Sequence, residues 1–246
     1  MDSGVTRPFL TARWCDLAML NFDVAPALLH PYLPAGTELD TFGSRTLISI
    51  VGFRFLDTRV VGLPVPFHRQ FDELNLRFYV RREGPDGPRR GVVFIREFVP
   101  RHLIGWTARA LYDEPYLAVP MRHRITLPPT ESVEPGRVRY EWRYGSRWHA
   151  LEAATIGSAA IPAAGSEAEF ITVHHWGYTA HRDGSTSEYA VTHPPWPVRQ
   201  VTSASLDCDV RAVYGARFVE VLEAPPRSAF VATGSTVSVY RGRKLP

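Results

Sequence analysis

Apolar and polar residues alternate along much of the chain. From 73 to 81 one series reads Glu73, Asn75, Arg77, Tyr79, Arg81, and the other reads Leu74, Leu76, Phe78, Val80. A period of two puts these series on opposite faces of a strand. Comparable patterns predict strands over 10–22, 45–57, 71–82, 91–99, 117–127, 137–144, 147–157, 176–182, 187–193, 200–206 and 229–240. Twenty-one prolines and eighteen glycines separate these short runs, as expected of strands joined by tight connections. "REGPDGPRRG" (82–91) reads as a hairpin loop, and Asp183-Gly184 is a strong hairpin turn signal.

Helical spacing is confined to four stretches. In 23–33, Asp23 is a candidate cap and Pro26 falls in the first turn. In 101–114, Leu103, Trp106, Ala110 and Leu111 share a face, and Pro115 ends the pattern. Ser166 followed by Glu169 predicts a capped short helix. A fourth helix is predicted from about Asp209 to Glu223, stopped by two prolines. The expectation is one α+β, mostly β domain over 1–246, built on a curled or closed antiparallel sheet with helices outside.

Composition narrows the field of functions. The two cysteines, Cys15 and Cys208, are far apart, so a disulfide framework is excluded and a reduced, cytoplasmic protein is expected. The N-terminal residues lack the basic start and apolar run of a signal peptide. No run reaches the roughly 18 apolar residues of a membrane span. The formal charge is only +3 and the arginines are dispersed, so neither a nucleic-acid nor a membrane partner is expected. All but one of the 28 basic side chains are arginine, and the exception is Lys244. Side-chain amine chemistry therefore has one candidate, the third residue from the end of the sequence.

The face carrying Glu73, Asn75 and Arg77 has two destinations. One is solvent, the usual fate of a polar strand face. The other is the inside of a barrel that holds a ligand. Burial of Glu73 without partners would cost several kcal/mol, so an inward face calls for polar neighbours such as Arg77.

Other polar groups carry the same two readings. Arg96 and Glu97 lie on opposite faces of a very apolar strand. Arg122 and Arg124 share one face of the 117–127 strand, a spacing that would clamp an anion, with His123 on the other face. His174, His175 and Tyr178 follow the capped helix; adjacent histidines on a strand point apart, which makes them a poor metal pair. His68, Asp72 and Glu73 have loosely metal-like spacing but would not converge from a strand. No HExxH, CxxC, P-loop, GxGxxG or GxSxG occurs, so no metal or cofactor is expected.

The stretches "FLTARWCDLAMLNFDVAPALLHPYLPAGTELDTF", "GLPVPFHRQFDELNLRFYVRR", "RRGVVFIREFVPR", "ALYDEPYLAVPMRHR", "EFITVHHWGYT" and "LDCDVRAVYG" resemble the YqjF-type proteins, domain of unknown function 2071. That family is similar to the acetoacetate decarboxylase superfamily. The resemblance spans almost the whole chain and implies a closed, cone-like antiparallel barrel with an interior cavity. It favours the inward reading of the Glu73 face. It does not carry the reaction with it. The decarboxylases form a Schiff base through a lysine, whereas the similar stretch here, "TARALYDEPYLA", has Tyr116 after Pro115, and a phenol forms no imine. Glu73 looks like the barrel glutamate of those enzymes.

Three functions are compatible with these readings. The first is a cofactor-free enzyme, a lyase, isomerase or cyclase acting on a small oxygenated, anionic substrate. Glu73, Tyr116 and Arg77 would be its catalytic set. His68, Asn75, Arg96, Arg122, His123, Arg124, His174 and Tyr178 would be its substrate-binding candidates. The second is a non-catalytic binding protein for a small amphipathic ligand. The third is a satisfied polar network inside a filled barrel, with function on the surface. A homodimer is compatible with the sequence but has no legible signature.

Overall fold

The computed structural model describes residues 7–65, 69–100 and 115–245. The expected strands form with ends shifted by a few residues, except that 117–127 is broken at Pro120 into two strands, one pairing with the barrel and the other with the outer sheet. In chain order they are β1 (Leu10–Asp23), β2 (Glu38–Leu39), β3 (Leu47–Val60), β4 (Leu63–Pro64), β5 (Phe71–Gly84), β6 (Gly87–Val99), β7 (Tyr116–Ala118) and β8 (Met121–Thr126). There follow β9 (Gly136–Tyr144), β10 (Arg147–Ala160), β11 (Trp176–Ala180), β12 (Thr186–Thr192), β13 (Val198–Asp207), β14 (Ser228–Val239) and β15 (Arg243–Lys244).

Seven of these strands close on themselves in the order β12-β11-β6-β5-β3-β1-β14, with β14 returning to β12. The fold is mostly antiparallel; β11 and β7 each pair with β6 in parallel. The closing seam is short, pairing Val191 with Val239 and Thr192 with Ser238. β14 also pairs with β13 through Phe230–Ala232, and β13 leads on to β10, β9 and β8 as an outer sheet. β14 passes from one sheet to the other around Gly234, at φ 77°. A Cβ there would stand 2.0 Å from the Trp14 carbonyl oxygen, so only glycine fits.

The barrel strands are buried on both faces, as a wall between two apolar layers must be. Their outer face (Ala18, Leu20, Ile48, Ile50, Leu74, Leu76, Phe78) packs against Val138, Tyr140, Trp142 and Leu151 of the outer sheet. Their inner face (Leu17, Met19, Val51, Phe53, Phe55, Tyr79) joins Phe170, Ile171 and Trp196. Nine consecutive residues of β5, Asp72 to Val80, are consequently buried.

The helices are shorter than the pattern predicts. The first covers Pro26–Leu29 and continues as a 3-10 turn to Tyr32. Asp23 does not cap it; Asp23 ends β1 and pairs with Arg45. The stretch expected to be one helix from 209 to 223 is split by Gly215 into Val210–Tyr214, a 3-10 turn, and Val219–Leu222. Asp209 caps its start by accepting from the Ala212 amide. The helix Glu167–Thr172 is capped by Ser166 as expected. The predicted helix over 101–114 lies outside the described residues.

Candidate functional site

β5 carries the site because its inward series is uninterrupted. Phe71, Glu73, Asn75 and Arg77 all line a cavity of about 270 Å³ inside the barrel. At about 30 Å³ per water this is room for about nine water molecules, or a small organic molecule. The Glu73 face thus looks inward. Its last member, Arg81, leaves the barrel and pairs with Glu38 in solvent.

Neighbouring strands reach the cavity through breaks in their alternation. In β1 the phase moves from Ala12 and Trp14 to Leu17 and Met19 across a bulge at Asp16, whose φ is 57°. In β3 it moves from Phe53 and Phe55 to Thr58 and Val60 across Asp57, at φ 53°. In β6 the register to β5 slips between Leu76↔Arg96 and Arg77↔Phe94. The extra residue turns Arg96 away and brings Glu97 inward behind Val92 and Phe94.

Glu97 therefore lies level with Asn75 on one side and Tyr116 on the other. The Asn75 amide donates to Glu73 Oε1 at 3.1 Å, and the Tyr116 hydroxyl stands 3.5 Å from Glu73 Oε2. Among the described residues no carboxylate lies within ion-pair distance of Arg77, which is 9% exposed. Its guanidinium carbon sits 5.8 Å from the Tyr79 ring centroid. Arg77 Nε and Asn75 Oδ1 find no hydrogen-bond partner among the described residues.

His174 enters after the helix Glu167–Thr172, which brings Ile171 and Thr172 to the cavity as well. Its Nε2 meets Asp40 Oδ2 at 3.1 Å, and Arg90 Nε donates to the same oxygen at 2.6 Å. Burial opposes ionisation of Asp40, but the His174 and Arg90 hydrogen bonds outweigh it and hold the carboxyl below its ordinary value. Burial pushes His174 down to about 4, against the pull of Asp40. At neutral pH the imidazole is uncharged, with its proton on the nitrogen facing Asp40. Nδ1 is then a bare acceptor, and it has no partner among the described residues.

The rest of the wall is mainly apolar, with aromatic rings interleaved with aliphatic side chains such as Leu17, Val92 and Val191. Phe55 stacks on Phe71 with centroids 4.4 Å apart, and Trp14 meets Phe53 edge-on at 5.3 Å. Tyr189 lies over Gly177, its cross-strand partner, where a Cβ would stand 2.1 Å from the ring.

Of the expected site residues, Glu73, Asn75, Arg77, Tyr116 and His174 meet in this cavity. Five others do not line it. Arg96 donates to the Val213 carbonyl because of the β6 bulge. Arg122, His123 and Arg124 lie on β8, the last strand of the outer sheet among the described residues. There Arg122 makes a two-pronged pair with Glu141 at 2.9 and 3.1 Å, His123 meets Asp72 at 2.8 Å, and Arg124 is exposed. Tyr178 is buried in the core between barrel and outer sheet, and burial raises its phenol to about 12. His68 lies outside the described residues. The pattern missed Glu97, Asp40, Arg90 and Thr58. Glu97 had a signal in its pairing with Arg96, but the bulge that chooses between them leaves no mark in local sequence.

This geometry, a closed barrel with one polar row inside a largely apolar chamber, agrees with what similarity finds. A family model described as DUF2071, "Uncharacterized conserved protein (COG2071)", matches residues 11–236. The chain belongs to the DUF2071 family. It is 25% identical over 215 residues to the uncharacterized protein YqjF of Bacillus subtilis (strain 168), covering 87% of this chain and 83% of that one. The DUF2071 chain also shares its fold with solved structures. Acetoacetate decarboxylase from Legionella pneumophila superposes with a TM-score of 0.67 at 14% identity, over 100% of this chain and 90% of that one. The enduracididine biosynthesis enzyme MppR complexed with pyruvate gives 0.66 at 14% identity, over 100% and 93%. An acetoacetate decarboxylase-like enzyme from Sphingomonas wittichii RW1 gives 0.62 at 12%, over 96% and 92%.

Proposed function

We propose that this DUF2071 protein is a cofactor-independent enzyme performing acid–base chemistry on a small oxygenated acid in the barrel cavity. The observation that carries this reading is the inward row of Glu73, Asn75 and Arg77, with the Tyr116 hydroxyl beside the carboxylate. Arg77 would hold the substrate carboxylate, since no protein carboxylate within ion-pair reach among the described residues competes for it. Glu73 would take a proton from the carbon next to a carbonyl, leaving the electron pair on the carbonyl oxygen as an enolate. Tyr116 would donate a hydrogen bond to that oxygen. Return of the proton to another carbon would complete an isomerisation; alternatively the enolate electron pair would form a carbon–carbon double bond and expel a leaving group from the adjacent carbon. A pyruvate complex of a fold relative supports a small oxo acid as the substrate type. Schiff-base chemistry at lysine has no support: Lys244 is exposed on β15 and paired with Asp183 at 3.0 Å.

Deuterium uptake at C3 of phenylpyruvate in heavy water tests this role. The wild type should exceed the buffer rate, and Glu73→Gln should lose more than about a hundredfold of that excess, the scale of acid–base catalysis. Equal rates in both proteins would remove Glu73 from the mechanism. The largely apolar wall favours one other reading, a carrier of an amphipathic acid. A bound acid recovered chemically unchanged after long incubation would select it.

A further inference from the structure

We infer that the hairpin joining β3 to β4 docks on an anionic lipid surface and turns one end of the barrel cavity toward the bilayer. Such docking is independent of the acid–base chemistry proposed for the cavity. Val61 and Gly62 form the two-residue turn between Val60 and Leu63, which pair across it. Both turn residues have positive φ, 51° and 81°. Turns of this kind favour Asn-Gly, and a β-branched residue at positive φ is strained. Val61 is nevertheless there, and it is 67% exposed; Leu63 is 72% exposed. Neither side chain belongs to the packed clusters of the core. A strained, exposed aliphatic pair is explained by a partner that covers it.

The surroundings fix the charge of that partner. Arg59 lies on the hairpin, and its Nη1 donates to the Gly62 carbonyl at 3.4 Å. The Val61 amide donates to the Phe9 carbonyl at 2.8 Å, and the Arg241 guanidinium carbon lies 5.8 Å from the Phe9 ring centroid. Arg7 precedes Phe9 by two residues, and the Arg69 carbonyl accepts from the Thr58 amide. All four arginines are exposed, whereas the same segments, 7–12, 57–65, 69–71 and 239–241, carry one carboxylate, Asp57, paired with Arg69 at 3.0 Å. Aliphatic side chains among arginines match the acyl and phosphate layers of an anionic membrane. Val61, Gly62, Leu63 and Pro64 are all exposed, so the tip is a projection suited to a fluid surface and not a groove for a folded partner. Val60 and Val65, on either side of the tip, line the cavity together with Phe9 and Leu10, and all four are half-buried. Docking therefore brings that end of the chamber to the lipid. The overall charge of +3 hides this face, because its arginines converge only in the fold.

Flotation with vesicles tests the docking. The wild type should bind vesicles of equal parts phosphatidylcholine and phosphatidylglycerol about tenfold more tightly than vesicles of phosphatidylcholine alone, the scale of two surface arginines. Val61→Asn supplies the residue that the turn favours, so the variant should fold at least as stably. It should bind the mixed vesicles about tenfold less tightly, the scale of one buried aliphatic side chain. Leu63→Ser should weaken binding to a similar extent. Val133→Ser, at an exposed valine beside β10, should leave it unchanged. No binding by the wild type, equal binding to both kinds of vesicle, binding retained in Val61→Asn and Leu63→Ser, or an equal loss in Val133→Ser would overturn the inference. So would a dimer in vesicle-free buffer that Val61→Asn dissociates, because the tip would then belong to a second copy of the chain. The wild-type comparison decides the matter even if a variant does not fold.

Discussion

His174 shows how one side chain acquires its properties from its setting. In the unfolded chain it would titrate near 6.5, whereas burial in the barrel lowers it to about 4. Between those values the unfolded chain binds more protons than the folded one, so stability rises with pH. The contribution is complete above about pH 6.5 and is lost as pH falls toward about 4. A shift of this size corresponds to on the order of 3 kcal/mol. Chemical denaturation at a series of pH values should show the wild type losing about that much more stability than His174→Gln between pH 7 and 4. His193, also lowered to about 4 by burial, titrates in both proteins and cancels in the difference. Equal slopes would mean that the imidazole is hydrated in the native protein. The sequence offered His174 as a candidate through its place after the capped helix. Its partners Asp40 and Arg90 were illegible, because they come from segments 134 and 84 residues away and meet it only in the folded barrel.

Among the elements, strands were the most legible and their irregularities the least. Alternation in β5 identified both of its faces, since no bulge interrupts Phe71–Tyr79 on the cavity side. Alternation in β6 left Arg96 and Glu97 open, and the register slip after Leu76 decided for Glu97. The arginine face of β8 had two readings, an anion clamp or a solvated face; β8 ends the outer sheet among the described residues, and Arg122 pairs with Glu141 there. β14 depends on Gly234 to serve both sheets. Gly234→Ala would force a side chain into φ 77° and to within 2.0 Å of the Trp14 carbonyl oxygen. A loss of about 3 kcal/mol is expected from strain and displacement together, measured by urea unfolding. An unchanged midpoint would mean that the β1–β14 ladder shifts without cost at this point.

At the scale of the molecule, closure is uneven. β1 and β3 pair along eleven residue pairs, whereas the β12–β14 seam holds two. Local opening free energy follows the number of contacts that must break. The amide of Tyr240, which donates to the Ala190 carbonyl at this seam, should therefore exchange with solvent faster than those of Met19 and Val51. Val191 and Val239 line the cavity, so a bound small acid should slow exchange at the seam more than in the β1–β3 ladder. Uniform protection, or a ligand effect confined to β1 and β3, would show that the seam is not the weak line of the barrel.

Local chemistry, present in the linear chain, determined the β-rich character, most strand positions and the Ser166 cap. Alternation also put Glu73, Asn75 and Arg77 on one face, and the family resemblance added Tyr116. Only tertiary structure decided which polar face is enclosed, that Glu97 replaces Arg96, and that Asp40 and Arg90 orient His174. The physical reason is range. Period and capping arise from residues within one turn or pleat of each other, whereas bulges and barrel closure are settled by pairing between distant strands, where many weak contacts must be satisfied at once.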